Sequence, residues 1–272
     1  MKPPPEAERT AETFVESAFG SVSLEALRAM PARKLLDAAL KKPSDFFRPV
    51  VDGYLLPADC RSIYRAGSQS HIPLLAGWNK DEADYPVLLD GDEPTVQSYR
   101  AHAMTRFGAN APDFLRLYPA ASDADAKRAA RDFAGDMFTA YCTWKWIELD
   151  RTSGGSPVFR YEYDQNLPLP AEAKAGTEAK APHASEIEYV FQVLSSKNPP
   201  WRAEDYAVSD LIASYWTNFA KTGDPNRPGL PQWPGYRSED GFAVMHIEPH
   251  SGSAPDAHRS RYEFLDRLQE AP

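Results

Sequence analysis

The segment Ile72-Pro73-Leu74-Leu75-Ala76-Gly77-Trp78-Asn79-Lys80-Asp81-Glu82 decides how this chain is read. Its first seven residues are apolar throughout instead of alternating, the pattern of a strand covered on both faces in a parallel sheet. The polar run from Asn79 to Glu82 then marks the end of the strand, so Glu82 stands just beyond its C-terminal tip. In open α/β sheets ligand chemistry collects at that end. A carboxylate there is a candidate for chemistry, and Asp81 competes with Glu82 for the role.

Downstream, Ser122-Asp123-Ala124-Asp125 has the composition of a capping box and opens a predicted long helix. Its apolar residues Phe133, Met137, Phe138, Tyr141, Trp144 and Ile147 keep helical spacing up to Asp150. Pro157 to Asp164 reads as a second strand, and the Pro-, Ala- and Lys-rich loop 166–182 delivers His183 after it. Glu82 and His183, 101 positions apart, thus each follow a strand and are brought together only by the fold. Glu204 to Thr222 is an amphipathic helix stopped by Gly223 and turned by Asp224-Pro225-Asn226. Ala243 to Ile247 is a last short strand and Tyr262 to Leu268 a last short helix, with 249–257 linker-like between them.

Upstream, residues 10–19 predict a helix that puts Ala11, Phe14, Val15 and Ala18 on one face. One or two helices broken near Pro31 follow over 23–41, with Leu24, Leu27, Leu35, Leu36 and Leu40 expected inward. The Asp52-Gly53 pair between apolar runs predicts a tight hairpin. The fold class that results is α/β, with mostly parallel strands flanked by helices. Residues 1–272 read as one domain or part of one, with 250–272 as a tail and short helix.

Composition narrows the function classes. A formal charge of -9 with no Lys/Arg cluster argues against nucleic acid, whose phosphates call for a basic face. No run of 18 apolar residues exists, so no membrane span is expected, and Met1-Lys2-Pro3-Pro4-Pro5 does not start a signal peptide. Compartment stays open. Cys60 and Cys142 match no CxxC pattern, which disfavours structural zinc, and two free buried thiols are expected ahead of one long-range disulfide.

His183 leaves its loop just before the apolar run Ile187 to Phe191, as a general base does when it must reach substrate from a fixed frame. Paired with a carboxylate it can take a proton from an attacking hydroxyl and return it to a leaving alkoxide. His183-x-x-Glu186 also has the spacing of a metal pair on one helical turn, but no other histidine supplies a HExxH-like third ligand, so no metal is expected. Glu186 is then a carboxylate near the base, or a helix N-terminal acid without chemical role.

Four stretches carry a resemblance: Phe47 to Gly53, Ile72 to Glu82, Pro182 to Phe191, and Tyr215 to Asn226. In order and spacing they are similar to the C-terminal half of type-B carboxylesterases, the cholinesterase-like branch of the α/β-hydrolases, over residues 10 to 245. The resemblance implies Glu82 as triad acid and His183 as triad base, acting on small uncharged carboxylic esters without metal or organic cofactor. It favours Glu82 over Asp81 because the family pattern is Asn-x-Asp-Glu with the acid last. Ala83 departs from that pattern, which usually has Gly next.

A nucleophile is missing. Hydrolases of this fold place it in Gly-x-Ser-x-Gly, since the strained strand-to-helix elbow admits only small neighbours. No two of the fifteen glycines lie four apart. Glu16-Ser17-Ala18 imitates the family's Glu-Ser-Ala, but Val15 and Phe19 flank it within a helical pattern, so Ser17 is a decoy. The expectation is therefore a C-terminal fragment whose serine and oxyanion loop lie on a missing N-terminal half, and which alone has no esterase turnover. The competing expectation is a non-catalytic binding or adhesion module of the same fold.

Overall fold

A computed structural model describes residues 4–43, 47–174 and 176–270. The chain divides into two compact units, Met1–Gln69 and Ser70–Pro272. The first holds α1 (Pro4–Phe19), α2 (Leu24–Ala29), α3 (Ala32–Ala39) and α4 (Cys60–Arg65). Ser23 caps α2 by accepting from the Ala26 N–H, and Pro31 precedes α3, so the predicted break is where proline interrupts the backbone ladder. Ser17 lies inside α1 and donates to the Phe14 carbonyl at 2.9 Å, an ordinary helical hydroxyl.

Two expectations fail in this unit. Leu24, Leu36 and Leu40 are exposed rather than inward. Helices of six and eight residues bury side chains only where another element covers them, and no described residue covers these three. The Asp52-Gly53 hairpin is absent too: Asp52 Oδ1 accepts from the N–H groups of Tyr54 and Leu56, and Gly53 takes φ +75°, but no strand flanks the turn. Tyr54 and Leu55 are exposed, and Val50 on the other arm stands in a single bridge position and not in a strand.

The second unit is built on a four-stranded sheet of β1 (Leu74–Asn79), β2 (Val158–Tyr163), β3 (Ala243–Ile247) and β4 (Gly252–Pro255), in that spatial order. β1–β2 and β2–β3 are parallel and β3–β4 antiparallel. The strand β4 corrects the reading of 249–257 as linker: four residues there pair with β3 at the sheet edge. Along the other edge of β1 no described strand pairs.

Side-chain alternation sorts the core into two layers. On one face Ala76, Trp78, Val158 and Val244 meet a helical layer that includes Tyr99, Phe133, Trp144, Ile147 and Tyr262. On the other, Phe159, Tyr163, Met245 and Ile247 meet Val208, Ile212 and Tyr215. Both faces being covered is why Ile72 to Trp78 shows no alternation. Gly77 is required by closeness: a Cβ there would lie 2.1 Å from the Tyr161 carbonyl oxygen and 2.6 Å from its ring.

Between β1 and β2 run α5 (Pro86–Leu89), α6 (Val96–Phe107), α7 (Ala111–Leu117), α8 (Asp123–Gly135) and α9 (Tyr141–Ser153). The capping box at Ser122 and Asp125 is present. The expected single long helix contains a π turn, Asp136–Ala140, between α8 and α9. The extra residue turns Phe138 out of the core stripe, and it is exposed while Phe133, Tyr141, Trp144 and Ile147 are buried. After β2 come α10 (Ile187–Val190), α11 (Ala203–Thr222) and finally α12 (Arg259–Glu270). Gly223 ends α11 at φ +77° with its N–H on the Phe219 carbonyl. The two cysteines are free, as expected, but both are exposed, not buried. Cys142 falls on the outer side of α9, beside the inward Tyr141. Among the described residues no helix is long and apolar enough to cross a membrane.

Candidate active site

The predicted acid and base meet. His183 Nδ1 lies 2.5 Å from Glu82 Oε2. The carboxylate is held from behind, because Glu82 Oε1 accepts the backbone N–H of Asn79 at 2.8 Å. Glu82 is 9% exposed, whereas the His183 side chain is 56% exposed. Accepting Nδ1–H leaves Nε2 of the imidazole as an acceptor on an accessible ring, the arrangement a general base needs. Phe138, turned out by the π turn, sets its ring 5.1 Å from that of His183 at 77°.

The chain reaches this geometry through a few main-chain anchors. Past β1, Asp81 and the loop before His183 form a parallel bridge: Asp81 N–H donates to the Ala181 carbonyl at 3.0 Å, and Asp81 Oδ2 accepts the Ala181 N–H at 2.9 Å. Asp81, the competitor for the acid, is thereby occupied as a loop fastener and does not touch His183. Pro182 to Ser185 is a tight turn closed by Ser185 N–H on the Pro182 carbonyl, with Ala184 at φ +65°. A Cβ-bearing residue is strained there. Ala83, in contrast, is not among the residues with positive φ, so alanine serves where the family pattern has glycine.

Asn79 was not singled out by sequence reasoning. Its amide donates to the Pro182 carbonyl at 2.7 Å, to Glu186 Oε2 at 2.6 Å and to Ser185 Oγ at 3.4 Å. One buried side chain therefore ties the tip of β1 to both flanks of His183, and Glu186 acts as its acceptor. The signal available was the position of an asparagine at the very end of an apolar strand. Glu186 is 3 residues from His183 yet shares no contact with it that would form a metal pair. Among the described residues no hydroxyl hydrogen-bonds His183.

Behind Glu82 lies a cavity of about 160 Å³, lined among others by Trp78, Asp136, Glu162, His258 and Tyr262. Burial pushes the Asp136 carboxyl up to about 7, opposed by the Arg261 guanidinium and the Tyr118 hydroxyl that donates to it at 2.7 Å. Burial pushes His258 down to about 4. On the other side of the sheet, Tyr161 is raised, first by desolvation and then by the charges of Glu186 and Glu82.

Comparison with known proteins identifies the family and the fold. Residues 8–265 match the model of the carboxylesterase family. The chain is 28% identical over 242 residues to Carboxylesterase 5A of Canis lupus familiaris, covering 82% of this chain and 41% of that protein. It is 26% identical over 241 residues to Cocaine esterase of Homo sapiens, covering 82% and 42%. A medium-chain fatty acyl-CoA hydrolase precursor of Anas platyrhynchos aligns over 99% of this chain and 50% of its own length at 25% identity. The chain thus spans about half the length of the curated relatives it matches. Among solved structures, a PNB esterase superposes with a TM-score of 0.69 at 24% identity, covering 97% of this chain and 55% of that one. This is the α/β-hydrolase fold, and with a family match over nearly its full length the chain belongs to the carboxylesterase family.

Proposed function

We propose that Glu82 and His183 are the acid and base of a serine carboxylic ester hydrolase whose nucleophile and oxyanion donors lie outside this sequence. The observation that carries the reading is the 2.5 Å contact between a buried carboxylate and an exposed imidazole at the tip of β1. In the reaction, Nε2 of His183 takes the proton of a serine hydroxyl as it attacks the ester carbonyl, and Glu82 steadies the imidazolium that forms. The proton then passes to the leaving alcohol. Water repeats the cycle on the acyl-serine, again with His183 as base. No step calls on a metal or organic cofactor. Three features support a split of the domain: the absence of Gly-x-Ser-x-Gly, the unpaired edge of β1 among the described residues, and a span of about half the relatives' length. On this reading residues 1–272 form the C-terminal part of a single hydrolase domain, and the chain alone has no esterase turnover.

The second reading is a non-catalytic module of the same fold. It gives no reason for a buried acid and exposed base to stay in contact. To separate the two, the chain is expressed with the coding sequence preceding Met1 and assayed on p-nitrophenyl esters. Turnover that falls about 10⁴-fold in His183→Ala, the scale set by triad residues, supports the enzyme. Equal rates in parent and variant sink it.

A further inference from the structure

Away from the acid–base pair, the C-terminal ends of β2 and β3 gather Glu162, Asp164 and His246. Glu162 and His246 are register partners across the two strands, and Asp164, two residues on, returns to the same face. One ligand atom from each lies within 4.8 Å of the others, with His246 Nδ1 2.7 Å from Asp164 Oδ2. Glu162 is 9% exposed, and its carboxylate accepts no hydrogen bond from any described residue. Its nearest cation, Arg160 Nη2, stands 3.9 Å away and is itself without a hydrogen-bond partner. Arg160 is committed to Asp256 and to the faces of Trp78, Tyr262 and Tyr236.

Charge bookkeeping in this group is one-sided. Asp164 is paired with His246 and Asp256 with Arg160, which leaves Glu162 as the member of the group with no cation closer than 3.9 Å. A carboxylate buried without a hydrogen bond either keeps its proton, toward which burial pushes Glu162, or takes a counter-charge, and a divalent ion would supply the latter. Bonds of about 2.0–2.2 Å from a tetrahedral ion set ligand atoms ~3.4 Å apart, so an entering ion draws Glu162 inward and replaces the 2.7 Å hydrogen bond between His246 and Asp164. One imidazole and two carboxylate oxygens suit a first-row divalent ion, with zinc favoured over manganese by intrinsic affinity. We propose that Glu162, Asp164 and His246 form a divalent-cation site that fastens the ends of β2 and β3, separate from the ester chemistry.

The test uses the full chain without a histidine tag, stripped with EDTA, incubated with ZnCl₂, desalted and analysed for metal. The expected result is one Zn²⁺ per chain, lost in His246→Ala and bound at least tenfold more weakly in Glu162→Gln, but unchanged in His183→Ala. Co²⁺ in place of Zn²⁺ should give d–d absorption without the thiolate charge-transfer band that Cys60 or Cys142 would produce. Should His246→Ala fail to fold, the isosteric Glu162→Gln and the Co²⁺ spectrum of the parent decide. No Zn²⁺ retained by the parent, equal retention in Glu162→Gln, or a thiolate band each overturns the assignment.

Discussion

Replacing Asn79 by alanine removes the amide that joins β1 to the turn carrying His183. Two strong acceptors lose their donor: the Pro182 carbonyl at 2.7 Å and the Glu186 carboxylate at 2.6 Å. Asn79 is 2% exposed, so water cannot fully replace the amide without opening the site. An orphaned acceptor in such a place costs about 1–3 kcal/mol, more for a charged one. Glu186 is only half-buried and regains part of this from solvent, which brings the expected loss to about 2–4 kcal/mol. The backbone N–H that holds Glu82 is untouched by the change, so the acid should keep its place while the base loosens. Urea unfolding should show a lower midpoint at unchanged slope, and amide exchange over residues 181–187 should accelerate. Asn79→Asp should be worse still, since it sets a second carboxylate against Glu186. A loss below about 0.5 kcal/mol, within the range of ordinary surface substitutions, with unaltered exchange would refute the reasoning.

Ala184 sits at φ +65°, so Ala184→Gly should raise stability by about 0.5–1 kcal/mol in a urea melt; a loss would mean the turn is not strained. Gly77→Ala must part β1 from β2, because its Cβ would meet the Tyr161 carbonyl at 2.1 Å; a loss of more than about 3 kcal/mol or outright misfolding is expected, and a near-neutral melt contradicts it. Asp136 has a folded pKa of about 7, well above its unfolded value, so the folded state holds the extra proton and stability falls as pH rises from about 4 to 7. His258, lowered to about 4, works the other way between about 4 and 6.5, its contribution rising with pH. Asp136→Asn should therefore gain on the parent by on the order of 3 kcal/mol across that window, measured by urea melts at each pH; parallel curves would remove Asp136 from the account.

Much of the second unit could be read from residue order. The unalternating run before Trp78 announces a strand covered on both faces, and the tip of that strand locates Glu82. His183 follows from the loop after the next strand together with the apolar run behind it. What escaped reading has physical causes. Between 86 and 117 the helices α5, α6 and α7 are punctuated by Pro86, Gly91, Pro94, Gly108 and Pro112, which look like breakers. Pro86 and Pro112 in fact occupy first-turn positions, where a proline lacks only an N–H that has no partner anyway. The cap of α6 is a Thr95/Ser98 box rather than one ending in Glu or Gln, so its signature is faint. Asn79 was hidden because Asn79 to Glu82 resembles a solvated turn, while its amide is buried against a loop over 100 positions later. In the first unit, leucines at helical spacing suggested a buried face, yet spacing alone does not supply the element that would cover them.

The pairing of Glu82 with His183 is open to one direct measurement, nitrogen-edited NMR of the imidazole in the parent chain and in Glu82→Gln. The account predicts a low-field proton on Nδ1, held by the Glu82 carboxylate, and loss or a large upfield shift of that signal in the variant. No proton on Nδ1, or a spectrum indifferent to Glu82, would contradict it.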